Sequence, residues 1–153
     1  METAPGARPP APRGTGAAVL AAELRTALLR AARRLRAEKS DADVSEGQYS
    51  VLALLDRRGP STPRELAALE RVQPPSMTRT IAALLDLGLV TRSEHPSDRR
   101  QVLVALSEAG AASVRETRRR RDAWLARRLA ALTPSEREVL SRAADLLRRI
   151  ADS

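Results

Sequence analysis

The chain contains no cysteine. That removes disulfides, thiolate metal sites and cysteine redox sensing together, and it fits a reducing compartment. Phenylalanine is absent too, and Tyr49 and Trp124 are the only aromatic side chains. Binders of single-stranded nucleic acid stack bases on aromatic platforms, of which this chain has almost none; duplex binding does not need them. His95 is the sole histidine, and neither a glycine-rich phosphate loop nor a cluster of carboxylates stands out. With so few groups to move protons, attack a substrate or hold an ion, no catalysis, metal or cofactor is expected. No apolar run approaches the roughly 18 residues that a membrane span requires. The first residues lack a signal-peptide core, so a cytoplasmic protein is expected. Lysine is scarce as well: Lys39 is the only one among 27 basic residues, so the positive charge is almost wholly arginine.

What is present points to a polyanion. Against 19 acidic residues the 27 basic ones leave a formal charge of +8, which favours nucleic acid first and an acidic membrane surface second. The 153 residues are enough for one domain with a real core and a second small lobe. Residues 1–16 carry four prolines and three glycines and read as a disordered arm, with Arg8 and Arg13 in solvent.

Helical periodicity begins at Ala17. Leu20, Leu24, Leu28, Ala31 and Leu35 recur at intervals of three and four up to about Lys39, with arginines opposite. "SEGQ" is a capping box: Ser45 caps a second helix and Gln48 stands three residues on. Its expected apolar face is Tyr49, Leu52, Ala53 and Leu55, and Gly59 ends it. "TPRE" opens a short third helix in the same way, with Pro63 in the first position and Glu65 closing the box on Thr62. After the turn "RVQ", Pro74 and Pro75 begin a fourth helix that Gly88 closes. A hairpin follows, with strands Leu89 to Glu94 and Arg100 to Leu106 about a turn at His95–Asp98. Ser107 then starts a long fifth helix to about Ala131. "TPSE" opens a sixth, with a face of Val139, Ala143, Leu146, Leu147 and Ile150.

Residues 62–106 thus run helix, tight turn, helix, two-stranded hairpin, the order of a winged helix-turn-helix. The fourth helix supplies the physical test. Met77, Ile81, Leu84 and Leu85 follow core spacing, while Pro75, Ser76, Thr78, Arg79 and Ala82 lie opposite. A helix that enters a major groove needs such a layout: small residues permit close approach, and hydroxyls and arginine meet phosphates and base edges. The hairpin separates this reading from an ordinary surface helix. An arginine at its tip suits a narrow minor groove, and a neighbouring carboxylate, Asp98, can hold that arginine in one pose. The competing reading of Asp98 is a surface salt bridge of little worth.

The sequence here resembles the MarR family of bacterial transcription regulators. The family's wing motif is Asp, any residue, Arg, five residues, Leu and Thr. It stands in this chain as Asp98, Arg99, Arg100, "QVLVA", Leu106, with Ser107 in the threonine place. "SMTRTIAALLDLGLVTR" is similar to the family's recognition helix and first wing strand, and the order of six helices and a wing covers nearly the whole chain. The resemblance implies a mainly α protein, with a winged helix-turn-helix over 45–106 flanked by dimerisation helices over 17–44 and 107–153. It implies a homodimer on a pseudo-palindromic duplex operator, most often a repressor, whose binding responds to a small ligand. It makes Arg100, with Arg99 beside it, the minor-groove arginine, Asp98 its positioner, and Ser76, Thr78 and Arg79 the DNA-facing residues of the recognition helix. Pro74–Pro75 departs from the usual pattern: it removes two backbone N–H donors from the helix end that would face phosphate.

Other features keep two readings each. "RETRRRRDAWLARR", residues 115–128, is a solvated helix face or a clamp on DNA or acidic effectors. Trp124 is core or dimer packing, or the wall of a ligand pocket. His95 is an exposed turn residue that would add positive charge near DNA in mild acid. The rival class for the whole chain is a basic helical interaction or DNA-architectural protein without ligand response. It would need neither the wing nor the capped helices that frame it.

Overall fold

The structure is a computed structural model that describes residues 16–38, 44–98 and 100–152. The proline-rich arm up to residue 15, Lys39 and Arg99 lie outside the described residues. The chain divides into two compact units, residues 1–34 and 35–153. The described part of the first is helix α1 (Ala17–Arg36), which continues two residues past the division and has no buried residue. Its apolar side chains, among them Val19, Leu20, Leu28 and Leu29, are exposed.

The second unit holds α2 (Glu46–Arg58), α3 (Pro63–Leu69), α4 (Pro74–Asp86), β1 (Val90–Glu94), β2 (Val102–Leu106), α5 (Glu108–Ala130) and α6 (Pro134–Ala151). Local chemistry fixes three of the helix starts. Ser45, Thr62 and Thr133 each accept the backbone N–H of a Gln or Glu three residues on, whose side chain accepts the cap's own N–H. All three boxes stand where the sequence places them. Gly59 ends α2 at φ 82°, and Gly88 follows α4 at φ 68°, left-handed conformations that glycine adopts without cost.

The core collects one face of each element around α2: Leu52 and Leu55 from α2, Leu66 from α3, Met77, Ile81 and Leu84 from α4, Val90 and Val104 from the strands, and Val114 from α5. The α4 face is the expected one, with Leu85 packed at its margin. The α2 face differs. Val51 and Leu54 are buried with Leu52 and Leu55, whereas Tyr49 and Ala53 are half-buried. The reason is tertiary: α2 contacts α4, α5 and β2, so it is covered over a wider arc than one amphipathic stripe.

The two strands pair antiparallel, from Val90 opposite Leu106 to Glu94 opposite Val102. The second starts at Val102 rather than Arg100, because the turn continues through Gln101. Gln101 donates its N–H to Asp98 O at 2.9 Å, and His95 donates to Gln101 O at 3.1 Å. Ser61, just before α3, adds a one-residue bridge to β2: its N–H donates to Val104 O at 3.0 Å and its O accepts from Val104 N at 2.9 Å. The hairpin is thereby tied to the helix-turn-helix. Its base is tied to α5, for Ser107 donates its N–H to Leu89 O at 3.1 Å and its hydroxyl to Gly88 O at 2.7 Å. Among the described residues no helix is long and apolar enough to cross a membrane.

Candidate nucleic-acid interface

The turn between α3 and α4 is tight. Val72 donates to Ala67 O at 3.0 Å, and Arg71 sits at φ 53°, a left-handed conformation rare outside glycine. From there α4 sets out with its core face on α3 and its other face in solvent. Thr78 and Arg79 are exposed and Ser76 is half-buried. The first turn of α4 has no donor to spare. Pro74 and Pro75 carry no N–H, and Ser76 and Met77 both donate to Gln73 O, at 2.9 and 3.2 Å. A phosphate cannot be held here by the main chain, as it is at many helix starts. The side chains fold back on the same turn. The Thr78 hydroxyl donates to Pro74 O at 3.0 Å and Arg79 Nε to Pro75 O at 3.4 Å. Arg79 keeps its two terminal nitrogens for an outside acceptor.

In the wing turn the Asp98 carboxylate accepts the Arg100 backbone N–H at 3.0 Å and the Gln101 side-chain amide at 2.9 Å. Those two bonds, the Arg100 N–H foremost, hold its carboxyl below the usual carboxylate range. Asp98 thus grips the main chain of Arg100 and not its guanidinium, which extends into solvent. The carboxylate–guanidinium contact expected from the sequence is therefore not formed; Asp98 braces the turn instead. His95 braces the other limb: its Nδ1 accepts the Ser97 N–H at 3.3 Å.

Two further arginines line a groove with Arg100. A groove of about 420 Å³ runs between the first turn of α3 and the wing, and its lining includes Thr62, Arg64, Arg92, Arg100 and Gln101. The guanidinium groups of Arg64, Arg92 and Arg100 have no hydrogen-bond or ion-pair partner among the described residues. The arginine run of α5 is the opposite case. Arg118 pairs with Asp56 at 3.1 Å, Arg119 and Arg120 with Glu116 at 2.8 and 2.7 Å, and Arg121 with Glu46 at 2.9 Å. Arg121 also lies over the Tyr49 ring, 4.3 Å from its centroid. This run is therefore split between its own helix and α2, and much of its charge is balanced. Trp124 is buried, with the Arg128 guanidinium stacked on it at 3.8 Å.

A family model for the MarR family matches residues 44–102, the span from the entry to α2 through the start of β2. An HTH-type transcriptional regulator of Mycobacterium bovis is 50% identical over 133 residues, covering 87% of this chain and 93% of its own. The chain belongs to the MarR family. Solved structures share the architecture: Rv1404 of Mycobacterium tuberculosis superposes with a TM-score of 0.80 at 29% identity, over 92% of this chain and 97% of that one. Wild-type MarR of Escherichia coli, in its apo form, gives 0.70 at 27% identity, over 86% and 96%. The protein is accordingly a DNA-binding transcriptional regulator of the winged helix-turn-helix type and not an enzyme.

Proposed function

We propose that the protein is a cytoplasmic homodimer that represses transcription by binding a pseudo-palindromic operator, and that a small ligand modulates this binding. In this reading α4 enters the major groove with Ser76, Thr78 and Arg79 outward. Arg100 at the wing enters the adjacent minor groove, Arg99 lies beside it, and Asp98 positions the turn that presents both. Residues 45–106 bind DNA, and residues 17–44 and 107–153 dimerise. The observation that carries the reading is the outward face of α4: small, hydroxylated and armed with Arg79, it is left unburied beside a hairpin whose turn is braced to present a second arginine. The Thr78 hydroxyl proton is committed to Pro74 O, so that oxygen is set to accept, which suits the amino group of adenine or cytosine. Dimerisation is supported by α1 and α6, neither of which has a buried residue although both carry exposed large apolar side chains. Membership of the family is what supports repression, operator symmetry and ligand response.

A gel shift with DNA from upstream of the protein's own coding region tests the proposal. A discrete complex that survives excess nonspecific competitor is expected; a complex that competitor removes in step with its mass would overturn sequence-specific binding.

A further inference from the structure

We propose that Arg64 and Arg92 form a phosphate-binding groove with Arg100 at its outer end, gripping the duplex backbone where it passes between the helix-turn-helix and the wing. The inference rests on the DNA-binding reading of the same face and adds to it two contacts that are blind to base sequence.

The strand register places Arg92. It stands opposite Val104 across the hairpin, so its side chain leaves the sheet on the same side as Val104. Val104 is in turn bridged to Ser61, so the chain that carries Arg64, the second residue of α3, runs along the other edge of β2. Two arginines distant in sequence thereby face one groove, which Arg100 reaches from the wing turn.

Charge gives the groove its ligand. Three guanidinium groups line it, and each adds to the others' repulsion. Two of the carboxylates nearby are engaged elsewhere. Glu65 accepts the Thr62 N–H at 2.7 Å and the Thr62 hydroxyl at 2.9 Å, and Asp98 braces the wing turn. Glu94, on the same strand as Arg92, makes no ion pair with it among the described residues. Arg118 to Arg121 in α5 each meet a carboxylate, whereas the three arginines gathered on this groove meet none among the described residues, and an anion from outside suits them. A phosphodiester fits, because guanidinium forks onto paired phosphate oxygens.

The groove also makes up for what the helix ends lack. The start of α3 gives its Thr62 and Glu65 N–H groups to the capping box, and the first turn of α4 has two prolines and two N–H groups already bonded. Main-chain phosphate recognition is closed at the start of α4 and loses the Thr62 and Glu65 donors at the start of α3, and arginine side chains take its place.

The test uses the full-length protein and two duplexes: one enriched from a random pool by the wild type, and a scrambled one of equal length. Binding is followed over a range of sodium chloride concentrations for the wild type, Arg64→Ala, Arg92→Ala, the double Ala variant and the double Lys variant. Both side chains are exposed and unpartnered, so the fold does not depend on them. Each phosphate contact contributes about 0.9 to the slope of log affinity against log salt, so each Ala variant should lose about one unit and the double variant about two. The loss should be equal on both duplexes, leaving their affinity ratio unchanged, and the double Lys variant should keep most of the slope. An unchanged slope, or a loss confined to the enriched duplex, would overturn the groove. Selective weakening of the wild type, but not of the double Ala variant, when phosphate replaces chloride at equal ionic strength would support it, since free phosphate would then compete with the duplex for the groove. A wild type that binds both duplexes alike, with the variants still losing slope, would sink operator recognition and leave the groove standing. A wild type that binds neither would remove both.

Discussion

Gly110 marks where a single atom decides. It lies in the first turn of α5, and a Cβ there would stand 1.9 Å from Leu89 O, the oxygen that accepts the Ser107 N–H. Helix propensity favours alanine over glycine by about 1 kcal/mol. Overpacking against main chain costs about 1–3 kcal/mol and sometimes more. Packing should win, so Gly110→Ala should lower the urea midpoint with an unchanged m-value; a midpoint at or above wild type would refute the close approach. The wing turn poses a different question. Arg100→Ala should weaken operator binding by about 1–3 kcal/mol. Asp98→Ala should lose less, and the double variant should bind about as Arg100→Ala does, because a braced turn has nothing left to present. Asp98→Asn should retain most of the binding, since its amide oxygen can still accept the Arg100 N–H. Tighter binding by Asp98→Ala, or simple addition of the two losses, would rule the aspartate out as a positioner. The sequence made Asp98 visible by its place before two arginines. It hid the partner, because a carboxylate beside a guanidinium and one that caps a main-chain N–H have the same spacing.

At the scale of elements, what was legible depended on range. The boxes at Ser45, Thr62 and Thr133 were readable because cap and partner stand three residues apart. The core stripe of α4 was readable because its buried residues, Met77, Ile81 and Leu84, keep to one face at helical spacing although α2, α3 and β1 all pack on it. The arc of α2 was not, since Val51 and Leu54 are buried by elements that meet only in the fold. Arg71 takes a left-handed turn with no glycine to announce it, and the groove of Arg64 and Arg92 depends on the Ser61–Val104 bridge, which no periodicity reveals. The α5 run resolved into pairs for the same reason: Asp56 and Glu46 reach it from α2. Its pivot is Glu116, whose carboxyl is lowered from 4.5 to about 2, first by the Arg119 hydrogen bond and then by that of Arg120. The unfolded carboxyl takes up its proton at higher pH than the folded one. The stabilisation from these pairs is therefore complete above pH 4.5 and disappears as pH falls through about 2. Glu116→Gln should be less stable than wild type at neutral pH, with the gap in urea midpoint closing between those values. A gap that stays constant down to pH 2 would show that the pairs contribute nothing to stability.

At the scale of the whole molecule, neither α1 nor α6 contains a buried residue among the described residues. In α6, Val139 is 63% and Ile150 65% exposed, an arrangement that a second copy of the chain would bury. Sedimentation should find a dimer at micromolar concentration and a shift toward monomer for the Val139→Glu/Ile150→Glu double variant. A wild type that sediments as a monomer would contradict dimerisation. Symmetry would then place two copies of α4 on successive major grooves, each with its wing beside it. The claim on which this architecture turns is that the outward face of α4 reads bases and does not merely hold phosphate, and Arg79 tests it most directly. Wild type and Arg79→Ala are titrated, at one fixed salt concentration, with the enriched and the scrambled duplex. If Arg79 meets a base edge, the variant should lose about 1–3 kcal/mol on the enriched duplex and little on the scrambled one. Equal losses on both would make Arg79 another phosphate contact and would contradict base reading by α4.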